Sequence, residues 1–566
     1  MTDRDAQPHG PVLILGAGIN GAALARELAL NRVDVCVVDV GDVCSGTTPW
    51  SSRLIHGGLR YLEYGEFDLV RESLAERTRL LQLAPQFVQP LRLFIPVRSR
   101  LGGFVQSAVR FIGWGGGAAS DRGLWLVQTG LQMYDSFATG STLPGHQVHD
   151  VSDPDVPPVD SSRYSWLCSY WDAQIRAPER FVLALLEDAR TIAAGQGTAF
   201  ELFTYHEARF SGKNVEIRPH TGSTCQAASD APVVRTFEPL AVINATGAWV
   251  DFTLQYLAVA APRLMGGTKG SHLLTPHRGL REMLGGNGIY AEAPDGRPVF
   301  LLPFGDATLS GTTDIPFEGC PEDALADDSE IGYLLSVVRE VMPQVGLTRS
   351  DIDLHYCGVR PLPFVGEKTP GSITRRHRIE RHADAPVPML SLVGGKLTTC
   401  RALAEETTRT LLEALGRRVV ADSRSRIIPG GEGFTPTAAV LRERQAEWAS
   451  RHGWELHIVE AIWQLTGSRA ESILAQIPVN ARTLIAGTSV PVGFVQWSIE
   501  HEWVRTLDDL VERRLLLLYA PALREQTLSE LAELLVAAGK LRADAVAGAV
   551  EACRQRLANR FGKRLT

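Results

Sequence analysis

A short apolar strand running straight into three spaced glycines constrains the fold of this chain more than any other feature. Val12-Leu13-Ile14-Leu15 is continuous and apolar, as a parallel strand buried on both faces must be. Gly16-Ala17-Gly18-Ile19-Asn20-Gly21 follows at once. Ala22 to Leu30 then reads as a helix with small residues, and Val35-Cys36-Val37-Val38 as a second buried strand ending at Asp39. Gly16 allows the tight turn, Gly18 lets backbone N–H groups approach a pyrophosphate, and Gly21 lets helix and strand pack closely. The pyrophosphate would sit at a helix N-terminus, where unpaired N–H groups and the dipole favour an anion. Asp39 stands about 20 residues on, where an acid holds a ribose hydroxyl. A lone glycine motif is weak, because glycine-rich turns also occur without ligands. Strand, turn, helix, strand and acid in this order predict a Rossmann-like βαβ unit that binds a dinucleotide.

The motif leaves FAD and NAD open. A later strand exit, Asn244-Ala245-Thr246-Gly247, leans towards FAD, since such small Thr-Gly turns often close over the dinucleotide in FAD enzymes. Bulk properties exclude other classes. At 566 residues the chain has room for two or three domains with ordinary cores. A formal net charge of −7 gives no global field for nucleic acid. None of the eight cysteines forms a CxxC pair or a zinc-spaced cluster, so no metal site is expected, and the thiols read as reduced in a cytosolic setting. No apolar run approaches the ~20 residues of a membrane span. Pro11 to Ala25 is apolar, but Met1 to Gly10 before it lacks a basic n-region, which argues against a signal peptide.

Further elements follow from periodicity and punctuation. Phe67 to Leu83 reads as a helix, Asp150 to Ser162 as a loop, and Ala199 to Leu240 as strands and turns. Pro298 to Thr313 reads as a hairpin and Met389 to Val393 as a strand, after which Gly394-Gly395 opens a helix from about Leu397 to Leu415. After Pro429-Gly430-Gly431 the chain becomes mostly helical by period. Arginines interleaved with apolar residues from Arg98 to Trp114 suit a peripheral membrane contact or a packed helix, and Arg554, Arg556, Arg560, Lys563 and Arg564 either join that contact or line a solvated terminal helix.

A second stretch carries chemistry: Ser51-Ser52-Arg53-Leu54-Ile55-His56-Gly57-Gly58-Leu59-Arg60-Tyr61. Gly57 and Gly58 would let the backbone pass close to a flat cofactor, beside an imidazole, a guanidinium and a phenol. That mixture suits a redox cofactor meeting an anionic substrate.

Together with these, the blocks GAGINGAALA at 16–25, SSRLIHGGLRYLEYGEFDLV at 51–70, VINATGAWVD at 242–251, TKGSHLL at 268–274, SGTTD at 310–314, YCGVRPL at 356–362, SITR at 372–375, VGGKLTT at 393–399 and HEWVRTLDDLVERR at 501–514 resemble the FAD-dependent glycerol-3-phosphate dehydrogenases. The resemblance implies an α/β fold, α+β overall. It has a discontinuous FAD domain of the glutathione-reductase/amino-acid-oxidase type (about 8–85, 160–260 and 350–420). An antiparallel-sheet cap (about 86–159 and 261–349) is interleaved, and a C-terminal helical domain spans 428–566. It implies oxidation of sn-glycerol 3-phosphate to dihydroxyacetone phosphate, hydride passing from C2 to the flavin and electrons on to a membrane quinone. An oxidase reducing oxygen is the enzymatic alternative, and a non-catalytic flavin module the alternative of another class. A cytoplasmic protein, peripheral on the inner face of the membrane, is the implied location, and a homodimer is compatible with the pattern.

On that resemblance Arg60, Tyr61, Arg375 and Lys396 surround the substrate phosphate. His56 is favoured as the base for the C2 hydroxyl, with His272 as the alternative, and Arg360 orients the C2 oxygen. Hydroxyls of Thr47, Thr48, Ser51 and Ser52 would meet flavin or pyrophosphate oxygens. Gly395 permits close approach, and N–H groups from Leu397 and Thr398 onward would point a helix dipole at the pyrimidine edge. Three departures stand out: Arg53 where relatives carry lysine, the bulky Pro49-Trp50, and Pro303-Phe304 in place of Pro-Trp.

Overall fold

A computed structural model describes residues 10–100, 123–226, 231–366, 376–434 and 437–566. The apolar N-terminal strand Val12–Leu15 lies in the middle of a six-stranded sheet, between Val35–Asp39 and Ala241–Asn244, parallel to both. Phe200–Thr204 and Met389–Val393 extend it in parallel, and Arg378–Arg381 adds an antiparallel edge. Helix Ile19–Leu30 is buried along almost its whole length, packed between helices Pro178–Gln196 and Cys400–Ala414. This explains its small residues: alanine and glycine on both faces let three helices and a sheet approach closely. Gly21 marks the tightest point, where an added Cβ would lie 1.9 Å from the Gly16 carbonyl oxygen.

A second, ten-stranded sheet carries the substrate-side walls. The hairpin of Pro298–Phe304 and Ala307–Gly311 sits in it as the sequence predicts. Thr268–Thr275 pairs antiparallel with Leu354–Arg360 over its length, bringing the His272 and Arg360 segments together. The helix Phe67–Leu83 has the predicted bounds. From Ala438 onward helices dominate, ending in Val546–Phe561. No described helix is long and apolar enough to cross a membrane.

The helical region docks on the first sheet through buried ions rather than through apolar surface alone. Asp42, 1% exposed, accepts from Arg513 Nε at 2.6 Å and from both Nη atoms of Arg514 at 2.5 and 2.8 Å. Arg180 forks onto Glu502 at 2.8 and 2.5 Å. Two of the sequence departures belong to the same seam. Trp50 packs on Tyr356 and on Phe561 of the terminal helix, at ring separations of 5.6 and 5.1 Å. Arg53 pairs with buried Glu179, donates to the Tyr519 hydroxyl at 2.6 Å, and lies over the rings of Phe304 and Tyr519. The third departure, Phe304, is therefore the partner of the first.

Three expectations are corrected. Cys225 and Cys320 form a disulfide, so the cysteines are not all reduced. A bridge spanning 95 residues of sequence leaves no local spacing signal. The helix expected from Leu397 begins at Cys400, because residues 397–399 form a turn closed by Thr399 N–H on the Lys396 carbonyl. The basic terminal residues split: Arg554 is exposed and pairs with Glu551, but Lys563 is buried and donates to Asp353 at 2.6 Å, and Arg556 and Arg560 turn inward. Most of the basic, aromatic stretch from Arg98 to Trp114, and Arg375, lie outside the described residues.

Candidate cofactor and substrate site

One cavity of about 1060 Å³ runs from the glycine turn to the histidine stretch. Its first end is built by the βαβ unit. Gly16 takes φ +101°, and Gly18 has only the Thr48 hydroxyl near the place a Cβ would occupy, so its surface stays open to a ligand. Asp39 accepts from Ala17 N–H at 2.6 Å and Gly41 N–H at 2.8 Å. Burial pushes its carboxyl up to about 6, against those two hydrogen bonds. Thr48 Oγ1 accepts from Ile19 N–H at 3.2 Å and so ties down the start of the helix. Asn20 Nδ2 reaches the Gly394 carbonyl at 3.4 Å, while its Oδ1 is buried with no partner. Gly395, at φ +97°, faces Asn20: a Cβ there would lie 2.8 Å from Nδ2.

These observations fit FAD. A glycine surface that a Cβ would fill, a ribose-distance carboxyl, and an orphaned amide oxygen lie along one elongated cavity lined at its other end by Leu397 and Thr398.

The flanking hydroxyls are partly committed elsewhere. Thr47 Oγ1 donates to the Val359 carbonyl, Thr246 Oγ1 to Asn244 Oδ1, and Ser52 Oγ pairs with His272 Nε2 at 2.9 Å. Ser51 uses its hydroxyl to accept from Arg53 N–H and its carbonyl to accept from Tyr356 OH. Gly247 takes φ +63° at the exit of the third central strand. The glycine pair has a reason in the protein's own packing. A Cβ on Gly57 would meet Tyr134 Oη at 2.5 Å and Leu74, and one on Gly58 would strike the Tyr61 ring at 2.1 Å. Gly57 therefore clears the protein's own side chains. Beneath it Tyr134 donates to both oxygens of Asp172, which also pairs with Arg77 at 2.9 Å. Sequence reasoning missed this cluster; it lies across three distant segments.

At the second end His56, Arg60, Tyr61, His272, Arg360 and Lys396 all line the cavity. The His56 backbone is clamped by Thr398, whose Oγ1 accepts from His56 N–H at 3.2 Å. Its imidazole makes no hydrogen bond to a described residue. Burial first, then the charges of Lys396 and Arg77, push it down to about 3. That is well below the value near working pH expected of a base. His272 is also held down to about 3, by burial and then Arg360 and Arg53. Its ring stacks on Tyr356 at 4.9 Å. Lys396 Nζ donates to Ser73 Oγ at 2.9 Å and lies 4.5 Å from the Tyr61 ring centre. Arg60 Nη2 reaches Tyr64 OH at 3.3 Å. Arg360 is set by a loop that the sequence did not assign to it. Its Nη2 donates to Thr312 Oγ1 at 2.8 Å and the Thr313 carbonyl at 2.9 Å, and its Nη1 pairs with Asp314 at 3.0 Å. Gly270 makes room for it, since a Cβ there would lie 2.3 Å from Nη2.

Residues 11–379 match the FAD dependent oxidoreductase family. The chain belongs to it, within the group of the glycerol-3-phosphate dehydrogenases. A glycerol-3-phosphate dehydrogenase of Synechocystis sp. is 33% identical over 89% of this chain and 88% of its own length. A D-erythritol 1-phosphate dehydrogenase of Brucella abortus is 31% identical over 89% of this chain and 93% of its own. The FAD complex of glycerol-3-phosphate dehydrogenase from Bacillus halodurans shares the fold, with a TM-score of 0.72 at 18% identity over 97% of this chain and 95% of that one.

Proposed function

We propose that this flavoprotein oxidises the C2 hydroxyl of sn-glycerol 3-phosphate to give dihydroxyacetone phosphate, with a membrane quinone as the final acceptor. The observation that carries this reading is one continuous cavity with a dinucleotide turn at one end and Arg60, Arg360 and Lys396 with two histidines at the other. Two relatives in the same identity range are named for phosphorylated polyols, which matches a site of cations beside an alcohol-handling histidine.

FAD, when bound, supplies the acceptor for the hydride leaving C2. The protein's part is orientation, charge and the proton. Arg60, Tyr61 and Lys396, together with Arg375, bind the substrate phosphate; arginine forks and an ammonium suit its near-dianionic charge. Arg360, fixed by Thr312 and Asp314, faces the C2 oxygen and stabilises alkoxide character there. His56 takes the C2 hydroxyl proton. It is favoured over His272 because its imidazole has no hydrogen bond to a described residue, whereas His272 is tied to Ser52 and stacked on Tyr356. Burial, and then Lys396 and Arg77, hold His56 neutral; a phosphate dianion bound at Lys396 offsets that part of the charge, which raises the basicity of His56 when substrate is present.

Turnover of purified holoenzyme with glycerol 3-phosphate, D-erythritol 1-phosphate and glycerol, each with a soluble quinone or with oxygen, tests the assignment. Preference for glycerol 3-phosphate and quinone is expected. Preference for the four-carbon phosphate would move the substrate, and stoichiometric hydrogen peroxide would move the acceptor.

A further inference from the structure

The terminal helix Val546–Phe561 reaches the cofactor cavity: Arg556 and Arg560, one helical turn apart, line it with Asp508 and Arg513. Their surroundings differ. Arg556 pairs with Glu512 through both Nε and Nη2. Its side chain keeps 36% of its surface open and is part of the cavity wall. Arg560 forms no ion pair with a described carboxylate; its Nη1 donates to the Glu322 backbone carbonyl at 2.7 Å. A half-buried guanidinium beside a second guanidinium is costly unless an anion shares the site. Burial, and then the neighbouring charge of Arg556, push Arg560 down from its ordinary value, and the nearby carboxylates of Glu512 and Glu322 offset this only in part.

The position points to one end of the dinucleotide. Arg513 bonds Asp42, three residues beyond the ribose-distance Asp39. Glu322, which receives Arg560, accepts from Thr224 N–H at 3.0 Å. Thr224 Oγ1 accepts from Trp249 Nε1 at 2.9 Å, and the Trp249 ring covers Gly46. The two arginines and their supports therefore flank the Gly41–Thr48 segment, next to the glycine turn.

We infer that Arg556 and Arg560 of the C-terminal helix bind the adenosine-diphosphate half of FAD, so that the helical domain completes the cofactor site. This rests on the cofactor reading above, but it does not depend on the substrate, because FAD affinity is read without one. Guanidinium forks on phosphate oxygens would add charge-assisted hydrogen bonds at a site otherwise served by neutral backbone N–H groups.

The test is the FAD dissociation constant of the full chain, from flavin fluorescence on release, at low and high salt. Arg560→Gln is expected to weaken FAD roughly 10- to 100-fold, the usual weight of one or two hydrogen bonds to a charged group. It should also flatten the salt dependence. Arg560→Lys, which keeps the charge and loses the fork, should fall between that variant and wild type. Arg554→Gln, on the exposed face of the same helix, should bind as wild type does. Arginine-directed phenylglyoxal labelling with peptide mapping reads the same contact without a variant: both arginines should label in apoprotein and be protected in holoprotein. Protection by ADP but not by riboflavin places the contact on the diphosphate half. Unchanged affinity in Arg560→Gln, equal labelling with and without FAD, or protection by riboflavin alone would overturn the inference.

Discussion

Two arginine-rich regions of this molecule do opposite work. In the seam between the first sheet and the helical region, Arg513 and Arg514 are locked onto Asp42, and Arg180 onto Glu502, all buried. In the cavity wall, Lys396 rests on a hydroxyl and an aromatic ring, Arg60 on a phenol, and Arg360 on two threonines as well as Asp314. A guanidinium whose three nitrogens all bond protein acceptors, as in Arg180, Arg513 and Arg514, has its hydrogen-bonding directions and its charge satisfied, so it serves structure. The cations of the cavity wall instead line the space a ligand would fill, where an anion would meet them. The Asp42 seam and the Lys396 wall belong to one chain, so the distinction lies in position, not in residue type.

The comparison can be broken from either side, and the seam should give the largest effect. Asp42→Ala strips buried Arg514 of its carboxylate and Arg513 of one of its three, and denaturant unfolding should show a loss of about 3–5 kcal/mol. A loss under ~1 kcal/mol would put the seam with ordinary surface pairs. Arg360→Ala should lower kcat on the order of 10²- to 10³-fold while FAD stays bound, as expected for a charge acting on developing alkoxide. Near-normal turnover would remove Arg360 from the reaction.

Acid stability comes next. His272 is 2% exposed, and its folded-state value of about 3 lies below the ordinary 6.5. Between those values the unfolded chain binds the proton and the folded chain does not. Stability from this group is therefore full above pH ~6.5 and lost as pH falls towards ~3. Between pH 7 and pH 4 the loss should be about 3 kcal/mol, and His272→Asn should flatten that slope. A variant with the wild-type acid profile would show that His272 is not the group that titrates. The smallest effect belongs to Lys396→Met, which should raise KM for a phosphorylated substrate about tenfold, a typical weight for one charge-assisted contact, with a smaller change in kcat.

The parts legible in the sequence are those set by neighbouring residues. Gly16, Gly18 and Gly21 belong to one turn and its helix within ten residues: Gly16 takes φ +101°, and a Cβ on Gly21 would strike the Gly16 carbonyl oxygen. The bounds of Phe67–Leu83 and the hairpin at Pro298 follow from periodicity in the same way. What was not legible depends on segments far apart. The packing of Tyr134 and Leu74 on Gly57 could not be read, because nothing nearby in the sequence says that they occupy that space. Trp50 and Arg53 looked like anomalies of the flavin loop until Phe561, Tyr519 and Phe304 came to lie against them. Arg556 and Arg560 read as a charged helix face because most of their cavity is built from residues about 160 to 540 positions earlier.

The central claim is that one cavity brings a flavin and a phosphorylated polyol together. Anaerobic mixing of the purified FAD-loaded protein with glycerol 3-phosphate tests it in a single turnover, with glycerol as the control. The account predicts full bleaching of the flavin by the phosphate ester and none by glycerol at the same concentration. A flavin that stays oxidised with glycerol 3-phosphate, or one bleached equally by glycerol, would contradict it.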